Sequence, residues 1–571
     1  MPTNRTHRIL DSVDTPMRDG CLLRADIWLP AGEGPWPVLL QRTPYRKEDA
    51  FGTQHISAMD FMVALRRGYA IVLQDTRGRY GSEGDFEPFV HELDDGIDTI
   101  AWLAVQDFCN GEVVMFGASY VGATQVLAAA GNPEALVAIS PHLTTARHGE
   151  TWSYRGGAVE LGFLLLWIIE SLGCTDLERR FADMPAAEAQ RARQLLAAFQ
   201  QDPQSAFARL PVFDDDLAAL APYAREWFDS ARATAAPNAR EHLDTLAQTR
   251  QPALVSCGWN DLFVEGSLEL FQTLRSRWTD AAEVPDRLII GPWSHGNPTD
   301  WQGDFWHGYA ASTAGLAEKQ LDFFDAVRNR KLPKLPVVTY FRSGSNTWHD
   351  APDWPLPNGE VRPYFLTADG LDTVVSQNEW HRIFVSDPLD PVPTVGGANF
   401  LPGLLSGRNS ASKDQTEVES RSDVITFTSA PIRDDLEVTG LVETVIWVSS
   451  TGASADWTAR LCVVAPTGKS FGLVDGIFRQ ARASESPAEI RVRLGHVSHL
   501  FPAGSRLRLQ IASSNFPRFD RNPQSGRPAH LATSSEFLAS DHRIHGGPSM
   551  QTRLLLPTVI TPASGVNEAS H

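Results

Sequence analysis

Residues 20–145 alternate short apolar runs with helically spaced segments, and a chain patterned this way has little choice but a mainly parallel sheet flanked by helices. Pro37-Val38-Leu39-Leu40, Ile71-Val72-Leu73, Val113-Val114-Met115-Phe116 and Leu136-Val137-Ala138-Ile139 read as buried strands. Helical spacing fills 55–67, 92–105 and 120–130. The pattern resumes with the strands Ala253-Leu254-Val255-Ser256 and Arg287-Leu288-Ile289-Ile290, and a helix over 314–328 closes it. Between the two stretches strand signals vanish. Ala, Leu, Arg and Glu dominate, as in 186–199 and 225–235, which predicts a helical insertion of the kind that often serves as a lid. Beyond Pro-rich junctions at 332–336 and 352–357, the segments 489–494 and 506–511 alternate apolar and polar residues strictly, with further strand candidates at 441–448 and 458–464. That part predicts an all-β sandwich without helices. The expected organisation is an α/β domain discontinuous over 1–145 and 246–350, a helical cap over 146–245, and a β-sandwich over 351–571.

The formal charge of −19, from 69 acidic and 50 basic residues, argues against a nucleic-acid partner, whose phosphates need clustered Lys and Arg. The N-terminus shows no apolar secretory segment, and the longest strongly apolar run, 163–169, is far too short to span a bilayer. No membrane association is expected. Five scattered cysteines form neither a zinc spacing nor a disulfide framework, which predicts a reducing, cytoplasmic location.

Gly117-Ala118-Ser119-Tyr120-Val121-Gly122 follows a predicted strand directly and opens a predicted helix. A nucleophile elbow needs that setting, with small residues allowing the tight turn that presents the serine. The strict Gly-x-Ser-x-Gly pattern is not met, because Val121 stands where the second glycine would be; taken alone, a plain Gly/Ser turn stays open. The later strands lead into Cys257-Gly258-Trp259-Asn260-Asp261 and Gly291-Pro292-Trp293-Ser294-His295. Serine, acid and histidine thus follow the α/β-hydrolase order, each on a loop after a strand. Asp261 also suits an N-cap for a helix starting at Leu262, a role compatible with catalysis, and the alternative for His295 is a surface-loop histidine.

At these residues the chain resembles the cocaine esterase-like, or X-prolyl dipeptidyl-peptidase-like, serine hydrolases, which include α-amino acid ester hydrolases. The matching segments are Arg42-Thr43-Pro44-Tyr45, Asp75-Thr76-Arg77-Gly78 with Ser82-Glu83-Gly84, Met115 to Tyr120, Gly258-Trp259-Asn260-Asp261, Gly291 to His295, and Ser513-Ser514-Asn515-Phe516-Pro517-Arg518. The resemblance implies an α/β-hydrolase core, a cap, and a jelly-roll-like C-terminal sandwich. It implies a Ser119, His295, Asp261 triad, with the Tyr45 hydroxyl and the Tyr120 N–H as oxyanion donors; without it, Tyr45 reads as a turn residue after Pro44. Trp152, Trp167 and Phe263 are the aromatic candidates for a substrate pocket, with a core role the alternative. The implied reaction is hydrolysis of small-molecule esters without metal or organic cofactor, and the implied assembly a homodimer.

The rival within hydrolases is an amide-directed enzyme: an X-Pro dipeptidyl-peptidase, an α-amino acid ester hydrolase or a β-lactam acylase. Enzymes that recognise a substrate ammonium need pocket carboxylates. Glu48, Asp49 and Glu265 lie near catalytic positions in sequence but read as solvated surface acids. A non-catalytic ligand-binding protein is the rival from outside the hydrolases. The loop 75–84 has evenly spaced glycines but lacks the Gly-Lys-Ser/Thr of a phosphate loop, so it reads as structural. His496-x-x-His499 and His542-x-x-His545 lack a supporting thiolate or carboxylate set and read as surface pairs.

Overall fold

The computed structural model describes residues 7–50, 58–229, 242–278, 283–401 and 409–559. Its central sheet has ten strands: β1 (Arg8–Pro16), β2 (Leu22–Leu29), β3 (Trp36–Thr43), β4 (Ala70–Asp75), β5 (Cys109–Ala118), β6 (Leu136–His142), β7 (Leu254–Asn260), β8 (Arg287–Ser294), β9 (Val338–Arg342) and β10 (Thr347–Ala351). They lie in the order β1-β2-β4-β3-β5-β6-β7-β8-β9-β10. Pairings from β4 to β9 are parallel, and those at the edges, β1–β2, β2–β4 and β9–β10, are antiparallel. Chain order reverses between β3 and β5, the switch point outside whose strand ends α/β folds place their ligands. Tyr45 follows β3 and Ser119 follows β5, so that crevice receives both.

The inner strands are apolar throughout because helices cover both faces. Alternate side chains go to opposite sides. Val38, Leu40, Val113 and Met115 pack with α2 (Glu92–Ala104), α3 (Tyr120–Ala130) and α6 (Val264–Arg275). Leu39, Ile71, Val114 and Phe116 pack with α1 (Phe61–Arg66) and α7 (Leu316–Arg328). The helix expected over 55–67 begins only at Phe61, because Asp60 caps it by accepting the Val63 N–H at 2.9 Å; positions 55–57 lie outside the described residues.

The cap includes α4 (Leu161–Leu166), a π-helical turn over Trp167–Gly173, and α5 (Ala186–Gln201). The expectation of a purely helical insertion needs correction. Tyr154–Arg155 pairs with Ala158–Val159 as a hairpin, whose Gly156 carbonyl accepts the Arg479 N–H of the sandwich at 2.8 Å. The helix expected over 225–235 is Arg225–Phe228, and 230–235 lies outside the described residues.

The C-terminal part is a jelly-roll-like sandwich of a seven-stranded and a four-stranded sheet. Val442, Ile446, Val492 and Leu494 from the first face Trp457, Leu461, Leu507 and Leu509 from the second. One four-residue helix, Thr416–Glu419, departs from the helix-free expectation. Among the described residues no helix is long and apolar enough to cross a membrane.

Candidate active site

The turn from β5 into α3 holds Ser119 at φ 60°, ψ −128°, a conformation that costs a non-glycine residue roughly 1–3 kcal/mol. Tertiary bonds enforce it: the Ser119 N–H donates to the His142 carbonyl at 3.0 Å, and the Thr144 hydroxyl donates to the Ser119 carbonyl at 2.8 Å. The displaced second glycine has a steric reason. A Cβ on Gly117 would lie 2.3 Å from Val121 Cγ1, and one on Gly122 would lie 2.7 Å from Thr144 Cγ2. Gly122 lies against the segment that follows β6, so it is position 122 that excludes a side chain here.

His295 follows β8 and is 8% exposed, so it is not a surface-loop histidine. Its Nε2 lies 3.1 Å from Ser119 Oγ and its Nδ1 2.7 Å from Asp261 Oδ1. Phe263 and Phe400 present their rings to the imidazole edge-on, both at 5.1 Å. Asp261 is fully buried. It is not the helix N-cap: Leu262 and Phe263 intervene, and α6 starts at Val264 with Phe263 in the cap position. His142, beside this group, donates to or accepts from Ser256 Oγ at 2.8 Å, and burial pushes it down to about 3, so it stays neutral. Burial also raises the Cys257 thiol well above its ordinary range, which leaves it protonated and unreactive.

The loop 75–84 grips both sides of Tyr45. Arg79 Nε donates to the Pro44 carbonyl at 2.9 Å, and Asp75 Oδ1 accepts the Lys47 N–H at 2.8 Å. Burial pushes the Asp75 carboxyl up to about 7. Tyr120 is anchored by its hydroxyl, which donates to Glu92 Oε1 at 2.9 Å and accepts the Phe89 N–H at 3.0 Å; Arg42 pairs with Glu92 at 2.8 Å. The ring is therefore a strut, and only the Tyr120 backbone faces the elbow.

Ser119 and His295 open on a cavity of about 270 Å³ whose walls include Tyr45, Phe163, Trp167 and Phe400, and Arg46 also lines it. Of the three aromatic candidates, Trp167 lines this space. Trp152 and Phe263 do not: they stack on each other at 4.2 Å behind His295, and both are buried. Phe163 and Phe400 are walls that sequence reasoning missed. Phe163 lies in the apolar run already noted, whereas Phe400 comes from the sandwich and carries no local signal.

The charged residues around the site also differ from expectation. Glu48 and Asp49 are exposed, but Glu265 is largely withdrawn from solvent against His496, whose Nδ1 lies 2.9 Å from both carboxylate oxygens. Burial alone would raise Glu265; the charge and hydrogen bonds of His496 outweigh it and hold the carboxyl near 2. The two His-x-x-His pairs are not surface pairs either. His496, His499 and His542 are buried, and His542 sits between Ser450 and Ser513. His496 and His499, three apart on one strand, face opposite sides of it, and both sides are covered.

The cap and sandwich are joined by buried ion pairs. Arg518 bonds Asp475 at 2.6 Å and Glu160 at 3.4 Å, Asp475 also bonds Arg460 at 2.8 Å, and Glu160 also bonds Arg155 at 3.0 Å. Arg155 in turn donates to the Leu262 carbonyl at 2.6 Å, next to Asp261.

A family model of the X-Pro dipeptidyl-peptidase (S15 family) matches residues 19–297, and one of the X-Pro dipeptidyl-peptidase C-terminal non-catalytic domain matches 329–555. Cocaine esterase of Rhodococcus sp. (strain MB1 Bresler) is 34% identical, with 97% of this chain and 99% of that protein covered. Among solved structures, an α-amino acid ester hydrolase superposes with a TM-score of 0.76 at 24% identity, covering 98% of this chain and 97% of that one. An aminopeptidase of the marine sediment archaeon Thaumarchaeota archaeon superposes with 0.75 at 24% identity, covering 97% and 96%. These two likenesses concern the fold.

Proposed function

The chain belongs to the cocaine esterase-like members of the X-Pro dipeptidyl-peptidase (S15) family and is a serine hydrolase of carboxylic esters, and from that premise we propose that Ser119, His295 and Asp261 are its catalytic triad. The carrying observation is the unbroken hydrogen-bonded line from Asp261 through His295 to Ser119 at the wall of an apolar cavity. His295 takes the proton from Ser119 Oγ as the oxygen attacks the ester carbonyl. Asp261 fixes the imidazole tautomer and stabilises its charged form. The Tyr45 hydroxyl and the Tyr120 N–H hold the oxyanion of the tetrahedral intermediate. His295 then protonates the leaving alcohol, and water repeats the sequence on the acyl-enzyme.

The acyl group is neutral and largely apolar on this reading. Among its described residues the cavity has no carboxylate. Among the described wall residues a substrate α-ammonium would find no counter-charge, which disfavours the amide-directed rival that depends on one. The five cysteines form no disulfide, and we assign the enzyme to the cytoplasm on that ground.

The test is labelling with a fluorophosphonate, combined with Ser119→Ala. Stoichiometric modification of Ser119 in the parent protein is expected, and the variant should lose roughly 10³-fold or more in kcat with its fold intact. A variant within tenfold of the parent would remove Ser119 as nucleophile.

A further inference from the structure

Trp167 does more than line the cavity. Its indole N–H donates to the Tyr45 hydroxyl oxygen at 2.8 Å, across the boundary between cap and catalytic domain. A phenol has one proton to give and an oxygen that accepts. Among the described residues Tyr45 Oη has one hydrogen-bond partner, and that partner is a donor. The phenolic proton therefore cannot turn toward Trp167 without facing another proton. It is left for the cavity that Tyr45 shares with Ser119 and His295, and no acceptor among the described residues is hydrogen-bonded to it.

The indole is held firmly enough to impose this direction. Trp167 is 3% exposed, stacks on Trp227 at 5.4 Å and on Phe163 at 5.7 Å, and meets Trp152 edge-on at 5.3 Å. It is also the first residue of the π-helical turn Trp167–Gly173, an irregularity that recurs at functional sites. Burial keeps the Tyr45 hydroxyl protonated, the form an oxyanion donor needs.

We propose that Trp167 is a positioning residue of the hydrolytic reaction: its N–H occupies the acceptor side of the Tyr45 oxygen and so fixes Tyr45 as a donor aimed at the reacting carbonyl. The proposal rests on the oxyanion role given to Tyr45 above. It makes completion of the oxyanion hole depend on the cap being seated, because the orienting group belongs to the cap and the donor to the catalytic domain.

A double-mutant cycle with Trp167→Phe and Tyr45→Phe, read as kcat and KM on a neutral aryl ester, tests this. Trp167→Phe keeps an aromatic ring and deletes the N–H. It is expected to lower kcat roughly three- to tenfold, the range of one hydrogen bond's net contribution, separately from any change in KM caused by the smaller cavity wall. In the Tyr45→Phe background the same change should have no further effect on kcat. Equal kcat losses in both backgrounds would overturn the proposal while leaving the oxyanion role intact, as would a change confined to KM. An unchanged kcat in Tyr45→Phe alone would overturn the oxyanion role and the proposal with it. Should Trp167→Phe fail to fold, 3-benzothienylalanine at position 167 keeps the bicyclic shape without the N–H and runs the same cycle.

Discussion

Glycine at position 119 should make the protein more stable than alanine at the same position, although both abolish activity. Each substitution removes Ser119 Oγ and its 3.1 Å contact with His295, so that loss cancels in the comparison. What differs is the backbone. At φ 60°, ψ −128° a Cβ is strained by roughly 1–3 kcal/mol, and glycine is not. Glycine gives back ~0.5–1 kcal/mol through the greater freedom of its unfolded chain. The net expectation is that Ser119→Gly exceeds Ser119→Ala by ~0.5–2 kcal/mol. Urea unfolding followed by tryptophan fluorescence measures it, as a higher midpoint at equal m-value for the transition containing the central sheet. Ala129→Gly, buried within α3, is the control and should lower the midpoint. A Ser119→Gly midpoint at or below that of Ser119→Ala would refute the claim that the elbow stores strain.

Arg518→Met should cost ~2 kcal/mol in the same assay, below the full penalty for breaking a buried pair because Asp475 keeps Arg460 and Glu160 keeps Arg155; a change under ~0.5 kcal/mol would show that the clasp between cap and sandwich carries no weight. Glu265, held near 2 against an ordinary 4.5, binds its proton more weakly folded than unfolded, so it adds stability above pH 4.5 that is lost as pH falls toward 2. That acid limb, worth ~3 kcal/mol, should flatten in Glu265→Gln when unfolding midpoints are compared from pH 6 downward, and an unchanged limb would contradict the assignment. Phe400→Ala should raise KM for an aromatic acyl ester roughly tenfold and for an acetyl ester little, as expected for one lost aromatic wall; equal changes for the two esters would take Phe400 out of the acyl site.

The sequence exposed what depends on local order. Ser119, Asp261 and His295 each follow a short apolar run, and a parallel sheet must deliver such positions to one edge. What stayed hidden depends on partners far away in the chain. Glu265 looks solvated until His496, on a sandwich strand, comes beside it. The inward aim of His499 and His542 depends on which face of a strand is covered, which alternation alone does not say. Trp152 and Phe263 pointed to the right neighbourhood but to the layer behind the wall, and Phe400 entered from a domain whose pattern gave no reason to look there. The hairpin in the cap was illegible for a related cause, since its short strands are held by hydrogen bonds to the sandwich rather than by a propensity of their own.

Phe400 closes one edge of His295 from within the region matched by the model of a non-catalytic domain. The sandwich and the hydrolase fold therefore cannot be exchanged as independent cassettes. A hybrid joining this catalytic core to another member's sandwich inherits a foreign residue against its histidine, and a truncation before residue 400 leaves that edge bare. Natural variation in acyl preference within such enzymes then has a second place to accumulate, in a loop that lies outside the hydrolase fold.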